Sequence, residues 1–248
     1  MTKEEFLIVK EELINVIINF ELLKRKSNFL KQTYLLELSD EIRSEMKYSF
    51  ENEVMLDSIK KVNEKINLDQ IKNDIVLAKE ELTKKLENFE INLKSAQELS
   101  HRCDGYSLED MQEFDMRFAD FCKLYHPVLK GKVSEVEKTM FNLLSKLYQD
   151  GNIEAFDKLY KECESKFSAL DINSNFDGYA YFYRESIKNL NNLIIKMQNS
   201  FPLNIEDKFL NYDSITALIG EKRETVYDLR ELNKAIRKDF KLNFDVEF

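Results

Sequence analysis

Histidine and cysteine are the side chains from which a nucleophile or a metal site is most often built. This chain holds His101, His126, Cys103, Cys122 and Cys163. Cys122 and His126 are four residues apart, a spacing that lets two side chains meet on one helical face. A nucleophilic pair would need the thiol in an electropositive, partly exposed place. Pro127 instead sets His126 at a helix end, because the residue before a proline is pushed out of helical dihedrals. Cys122 falls beside an apolar face, so its thiol is read as buried and inert. The cysteines lack Cys-x-x-Cys spacing, and an odd, scattered set with no secretory signal reads as reduced thiols in the cytoplasm. A carboxylate-bridged di-metal bundle needs Glu-x-x-His on two helices; His126 follows Lys123 at that spacing. Five isolated glycines supply neither a P-loop nor a dinucleotide fingerprint. The expectation is a protein that is not an enzyme and carries no cofactor or metal.

The elements that must position these residues are helices. Gly (5) and Pro (2) are scarce, whereas a β protein needs turn residues every ten residues or so. Charged residues make up 33% of the chain, against about a quarter in an average globular protein. The 43% hydrophobic fraction is ample for a core. A net charge of -9 argues against a general nucleic-acid binder, which needs basic patches to release counterions. No apolar run is long enough to span a membrane, and Met1-Thr-Lys-Glu-Glu5 leads into an amphipathic helix rather than a signal peptide.

In the N-terminal third the apolar residues are read on a heptad, with Phe6, Leu13 and Phe20 on one track. Val9, Val16, Leu23 and Leu30 form the other. Ser39 or Asp40 is a candidate cap for a second helix, and Asn67 for a third that carries Ile71, Ile75, Leu82, Phe89 and Leu93. A helix of about thirty residues is about 45 Å long, which suits a long helical hairpin or coiled coil. The same stripes could also form a seam that closes a homodimer.

The middle of the chain is punctuated more sharply. Cys103-Asp-Gly-Tyr106 interrupts the periodicity, and capping boxes stand at Ser107-x-x-Asp110 and Ser134-x-x-Glu137. Between them a helix with Phe114, Phe118 and Phe121 on its buried face ends at Tyr125, and a loop opens with His126-Pro127. A helix with Met140, Leu143 and Leu144 then runs to the turn Asp150-Gly-Asn152. Lys130 and Lys132 make a small basic patch in the loop, read as solvated charges or a partner contact. The candidate partner-binding loop is therefore His126, Pro127, Val128, Lys130 and Lys132.

Two helices joined by a His-Pro loop resemble helices two and three of a J-domain. More narrowly, Lys123-Leu-Tyr-His-Pro-Val-Leu129, Phe-x-x-Leu-x-x-Leu-Tyr148 and Asp150-Gly-Asn-Ile-Glu-Ala-Phe156 are similar to a group of bacterial J-domain-like proteins, in which helical regions flank the module. The resemblance implies a DnaK-type chaperone as partner, with the aspartate of His-Pro-Asp coupling docking to ATP hydrolysis and basic residues on the preceding helix steering the encounter. This chain has Val128 at the aspartate position, and an isopropyl group accepts no charge-assisted hydrogen bond. Arg117 and Lys123 face Glu109, Asp110, Glu113, Asp115 and Asp120 along that helix, which weakens steering toward an acidic partner.

Further on, residues 168–178 read as a linker. A helix carrying Tyr179, Tyr183, Ile187 and Ile194 ends near Phe201-Pro202, and a last one begins near Asp213. These two should pair as an antiparallel hairpin. The aromatic cluster Tyr179–Tyr183 is read as core, since the basic runs of a base-stacking platform are missing around it. The expected organisation is all-α: residues 1–103 as a helical coiled-coil region, 104–170 as a J-domain-like module and 171–248 as a helical hairpin. The expected function is a non-catalytic interaction or scaffold protein in the cytoplasm, binding protein rather than nucleic acid or membrane. The alternative is a co-chaperone that regulates a DnaK-type ATPase despite Val128.

Overall fold

The computed structural model describes residues 1–103, 106–130, 133–163, 167 and 176–244. Among them the chain is all-α, with no strand. The helices are α1 (Lys3–Glu37), α2 (Ser39–Asn63), α3 (Leu68–Cys103), α4 (Leu108–Tyr125), α5 (Pro127–Lys130), α6 (Glu135–Gln149), α7 (Ile153–Cys163), α8 (Phe176–Gln198) and α9 (Tyr212–Phe244), with a 3-10 segment at Leu203–Phe209. Lys132, the expected break at Asp104-Gly105, residues 168–175 of the expected linker, and the side chains of Cys103 and Cys163 lie outside the described residues. The last three residues of that linker, Phe176 to Gly178, already belong to α8.

Local chemistry sets most boundaries. Ser107 Oγ accepts the Asp110 N–H at 3.1 Å while Asp110 Oδ2 accepts the Ser107 N–H at 2.8 Å, and Ser134 with Glu137 repeats the box at α6. Each box satisfies two backbone donors that a helix start leaves without partners. Asn67 Oδ1 caps α3 through the Asp69 N–H, 2.8 Å. Between α1 and α2 neither Ser39 nor Asp40 is the cap. The N-cap is Leu38, without a side-chain bond, and backbone bonding runs through it. The chain bends there around a fully buried leucine.

Contacts divide the chain into two compact units that interleave in sequence. Unit 1 is Met1–Lys31 with Leu99–Glu206, and unit 2 is Gln32–Glu98 with Asp207–Phe248. The three consecutive regions expected from the sequence, 1–103, 104–170 and 171–248, are thus not the compact units. Helical periodicity shows that a face is buried but not which helix covers it. The expected C-terminal hairpin is corrected for the same reason. The main partner of α9 is α2, whereas α8 belongs to unit 1.

The core of unit 1 gathers Leu13 and Ile17 of α1, Phe114 and Phe118 of α4, Tyr148 of α6, Phe156 of α7 and Tyr183 of α8. Phe118 stacks on Tyr148 at 3.7 Å, and Phe114 meets Phe156 edge-on at 5.2 Å, a geometry that the ring quadrupoles favour. Along α1 the buried residues are Phe6, Val9, Leu13, Ile17, Glu21, Ser27 and Leu30. Phe6, Val9, Leu13 and Leu30 of the expected heptad are among them, whereas Val16, Phe20 and Leu23 are only half-buried.

The core of unit 2 joins Met55, Ile71 and Ile75 to Ile236, Phe240 and Phe244. Beside it runs a polar ladder. Asn233 Nδ2 donates to Asn52 Oδ1 (2.8 Å) and Glu51 Oε2 (3.1 Å). Arg237 donates to Asn233 Oδ1 (2.6 Å) and Glu51 Oε2 (3.0 Å), and Asn52 Nδ2 donates to the Leu229 carbonyl (2.9 Å). Sliding α9 by one turn along α2 would break the four of these bonds that cross between the helices, so the ladder fixes their register.

Candidate functional site

The His126 loop joins α4 to α6 in unit 1. Pro127 holds His126 in an extended conformation (φ -62, ψ 127) and itself opens α5, where its missing N–H costs nothing. The stretch expected as a plain loop therefore contains one helical turn, and His126 closes the helix before it and opens the turn after it. Its N–H donates to the Cys122 carbonyl (3.1 Å), closing α4. Its Nδ1 accepts the Val128 N–H (3.2 Å), opening α5. The imidazole is 8% exposed and meets Phe141 edge-on at 4.8 Å. Burial, and next the Lys24 charge, push its pKa down to about 3, so the ring is neutral with its proton on Nε2.

Lys130 is not the solvated charge expected of it. Its side chain is 3% exposed, and Nζ lies 3.1 Å from Glu137 Oε1. The other oxygen, Oε2, accepts the Ser134 N–H (3.1 Å) and Oγ–H (2.9 Å). The Lys130 ammonium also lies 5.5 Å from the Tyr125 ring, where the π face attracts a cation. Tyr183 Oη donates to the Leu129 carbonyl at 2.7 Å, and burial raises that hydroxyl's pKa to about 12. Val128 is half-buried and packs on the unit 1 core. Of the five residues expected to form a partner-binding loop, His126 and Lys130 turn inward, Pro127 and Val128 are half-buried, and Lys132 lies outside the described residues.

The two cations noted on α4 are held by acids. Arg117 Nη1 reaches both carboxylate oxygens of Asp157, at 2.8 and 2.7 Å, and Lys123 pairs with Asp120 at 2.8 Å. Cys122 is buried. Burial, then the Glu21 carboxylate, raise its thiol pKa against the opposing pull of Lys24, which keeps the thiol protonated and unreactive. Among the described residues no three His, Cys, Asp or Glu side chains are placed to hold a metal, and no helix is long and apolar enough to cross a membrane.

Sequence reasoning missed two polar clusters in unit 1. Buried Glu21 accepts from Lys24 Nζ (2.6 Å), Ser145 Oγ (3.0 Å) and Gln149 Nε2 (3.3 Å). Asp115 Oδ1 binds Arg25 and the Tyr148 hydroxyl, the latter at 2.8 Å. The Arg25 guanidinium lies 4.8 Å from the Tyr148 ring. A glutamate four residues after Ile17 on the buried side of α1 was the available signal.

A second feature is a groove of about 480 Å³ lined by Val136, Met140 and Leu143 of α6 and Leu159 of α7, with Glu135, Thr139 and Glu162 at its rim. Val136 is 58% and Leu143 50% exposed. Their spacing, with Met140 between them, places all three on one side of α6.

Comparison with protein-family models, with curated proteins and with solved structures returns no match.

Proposed function

We propose that this chain is a non-catalytic interaction or scaffold protein working in the cytoplasm. In this reading its J-like segment is a rigid helical mounting, and the α6–α7 groove is its working surface. One observation carries the reading. Unit 1 turns His126 and Lys130 of its His-Pro loop inward, yet leaves Val136 and Leu143 in water beside half-buried Met140. Burying an aliphatic side chain of that size is worth about 1.5–3 kcal/mol, and contiguous exposed apolar surface marks interaction sites.

The co-chaperone alternative rests on the His-Pro loop itself. Val128 offers no acceptor, and the burial of His126 and Lys130 favours the scaffold reading over it. Placing a photo-crosslinking phenylalanine analogue at position 143 or at position 128, in cell extract supplemented with a DnaK-type chaperone, separates the two. Adducts from 143 with an unchanged chaperone ATPase rate are expected. A chaperone adduct from 128 together with a stimulated ATPase replaces this reading with the co-chaperone one.

A further inference from the structure

We propose that the α6–α7 groove receives an amphipathic helix of a partner protein with cationic residues flanking its apolar face. This rests on the interaction reading and adds the chemistry of the partner. Val136, Met140 and Leu143 stand at i, i+4 and i+7, a ridge of about 10 Å, or two helical turns. Leu159 faces it from α7. A ridge of that length and period matches the apolar anchors of one helix laid in a groove, and the unbranched thioether of Met140 adapts its shape to what it meets.

Charge selects among the helices that could lie there. Elsewhere on α4, α6 and α7 four acids are tied to cations, Asp115 to Arg25, Asp120 to Lys123, Asp157 to Arg117 and Glu137 to Lys130, while Glu109, Glu113 and Glu154 form no ion pair among the described residues. Glu135 and Glu162 are the groove's two carboxylates, and neither forms an ion pair among the described residues. The lysines of α6 and α7 are not part of its lining. An apolar floor between the Glu135 and Glu162 carboxylates attracts a helix bearing Lys or Arg beside its apolar stripe and repels an acidic one. A second copy of this chain, with a net charge of -9, is disfavoured on the same ground.

The test uses the full chain and two short fluorescent helices with the same leucine face, one with lysine and one with glutamate on the polar face. By anisotropy the Leu/Lys peptide binds in the micromolar range and the Leu/Glu peptide at least about tenfold more weakly. Leu143→Gln, which leaves the charge unchanged, abolishes binding with the helical circular dichroism intact. Glu135→Gln with Glu162→Gln weakens it several-fold, whereas Glu109→Gln with Glu113→Gln, which removes as much charge from α4, does not. Equal binding of both peptides, indifference to Leu143→Gln, or equal effects of the two acid pairs overturns the proposal and leaves the interaction reading standing. Concentration-dependent dimers by light scattering that Leu143→Gln dissolves also overturn it, with a second copy as the occupant. If neither peptide binds and a photo-crosslinker at 143 gives no adduct, the interaction reading falls as well.

Discussion

Glu137 binds Lys130 with one carboxylate oxygen, 3.1 Å from the ammonium, and caps its own helix with the other, 3.1 Å from the Ser134 amide. One side chain thus fixes both the start of α6 and the end of α5, and it does so almost out of reach of water.

Removing only the cation should therefore be costly. Lys130→Met removes the ammonium 3.1 Å from a buried carboxylate, and urea unfolding should show a loss of about 3 kcal/mol. Lys130→Met with Glu137→Gln should recover more than half of that loss, because both charges leave together. A single variant as stable as the parent would mean that the pair is solvated.

The two left-handed turn residues should respond with opposite signs. Gly151 (φ 65) and Lys65 (φ 58) each follow a helix, and at each its own amide and the next one close back on the helix end. Gly151→Ala should cost about 1–2 kcal/mol, since a Cβ disfavours that conformation. Lys65→Gly relieves the same strain and should raise stability by about 0.5–1 kcal/mol, less than the full strain because glycine also loosens the unfolded chain. Thermal melts of the two variants check both signs.

Acid should act through His126. Its pKa lies at about 3 in the fold against 6.5 for the free side chain. Between those values the unfolded chain binds a proton that the folded one does not, so stability is full above about pH 6.5 and falls as the pH drops toward 3. From pH 7 to 5 the loss through this residue should be about 2 kcal/mol. His126→Asn keeps an acceptor for the Val128 amide and should flatten that part of the profile. A His126 imidazole resonance titrating near pH 6.5 in the folded protein would sink this account.

In unit 2, Asn233→Ala strips the ladder of its shared donor and acceptor and leaves Asn52 and Arg237 each short of a bond. The expected cost is about 2–3 kcal/mol. Hydrogen exchange should show protection lost along α9 first, where its backbone faces α2. Uniform loss across both units would argue against a local lock.

Helix ends were the most legible part of the sequence. Ser107, Ser134, Pro127 and Gly151 carry local chemistry that needs no knowledge of distant neighbours, and the structure sets helix boundaries beside each. Partnership was not legible. The stripe of α9 was visible, but nothing in Ile236 or Phe240 distinguishes α2 from α8 as its cover. Lys130 misled for a related reason: a lysine beside glycine in a loop looks solvated until Glu137, seven residues on, is found turned toward it. The buried acids Glu21 and Glu51 fell into the class of charges assigned by default to wet faces. The groove escaped because exposed valine and leucine at helical spacing read as core.

The interleaving of the two units has a consequence for how the chain emerges during synthesis. Residues 32–98 come off the ribosome before the segment that closes over them, since Ile236 and Phe240 are made only after the whole of unit 1. Throughout that interval the face of α2 that packs on α9 has no native cover. The nascent protein therefore finishes unit 2 only after unit 1 is complete, and a stall anywhere before α9 leaves Met55, Ile71 and Ile75 without the α9 side of their core.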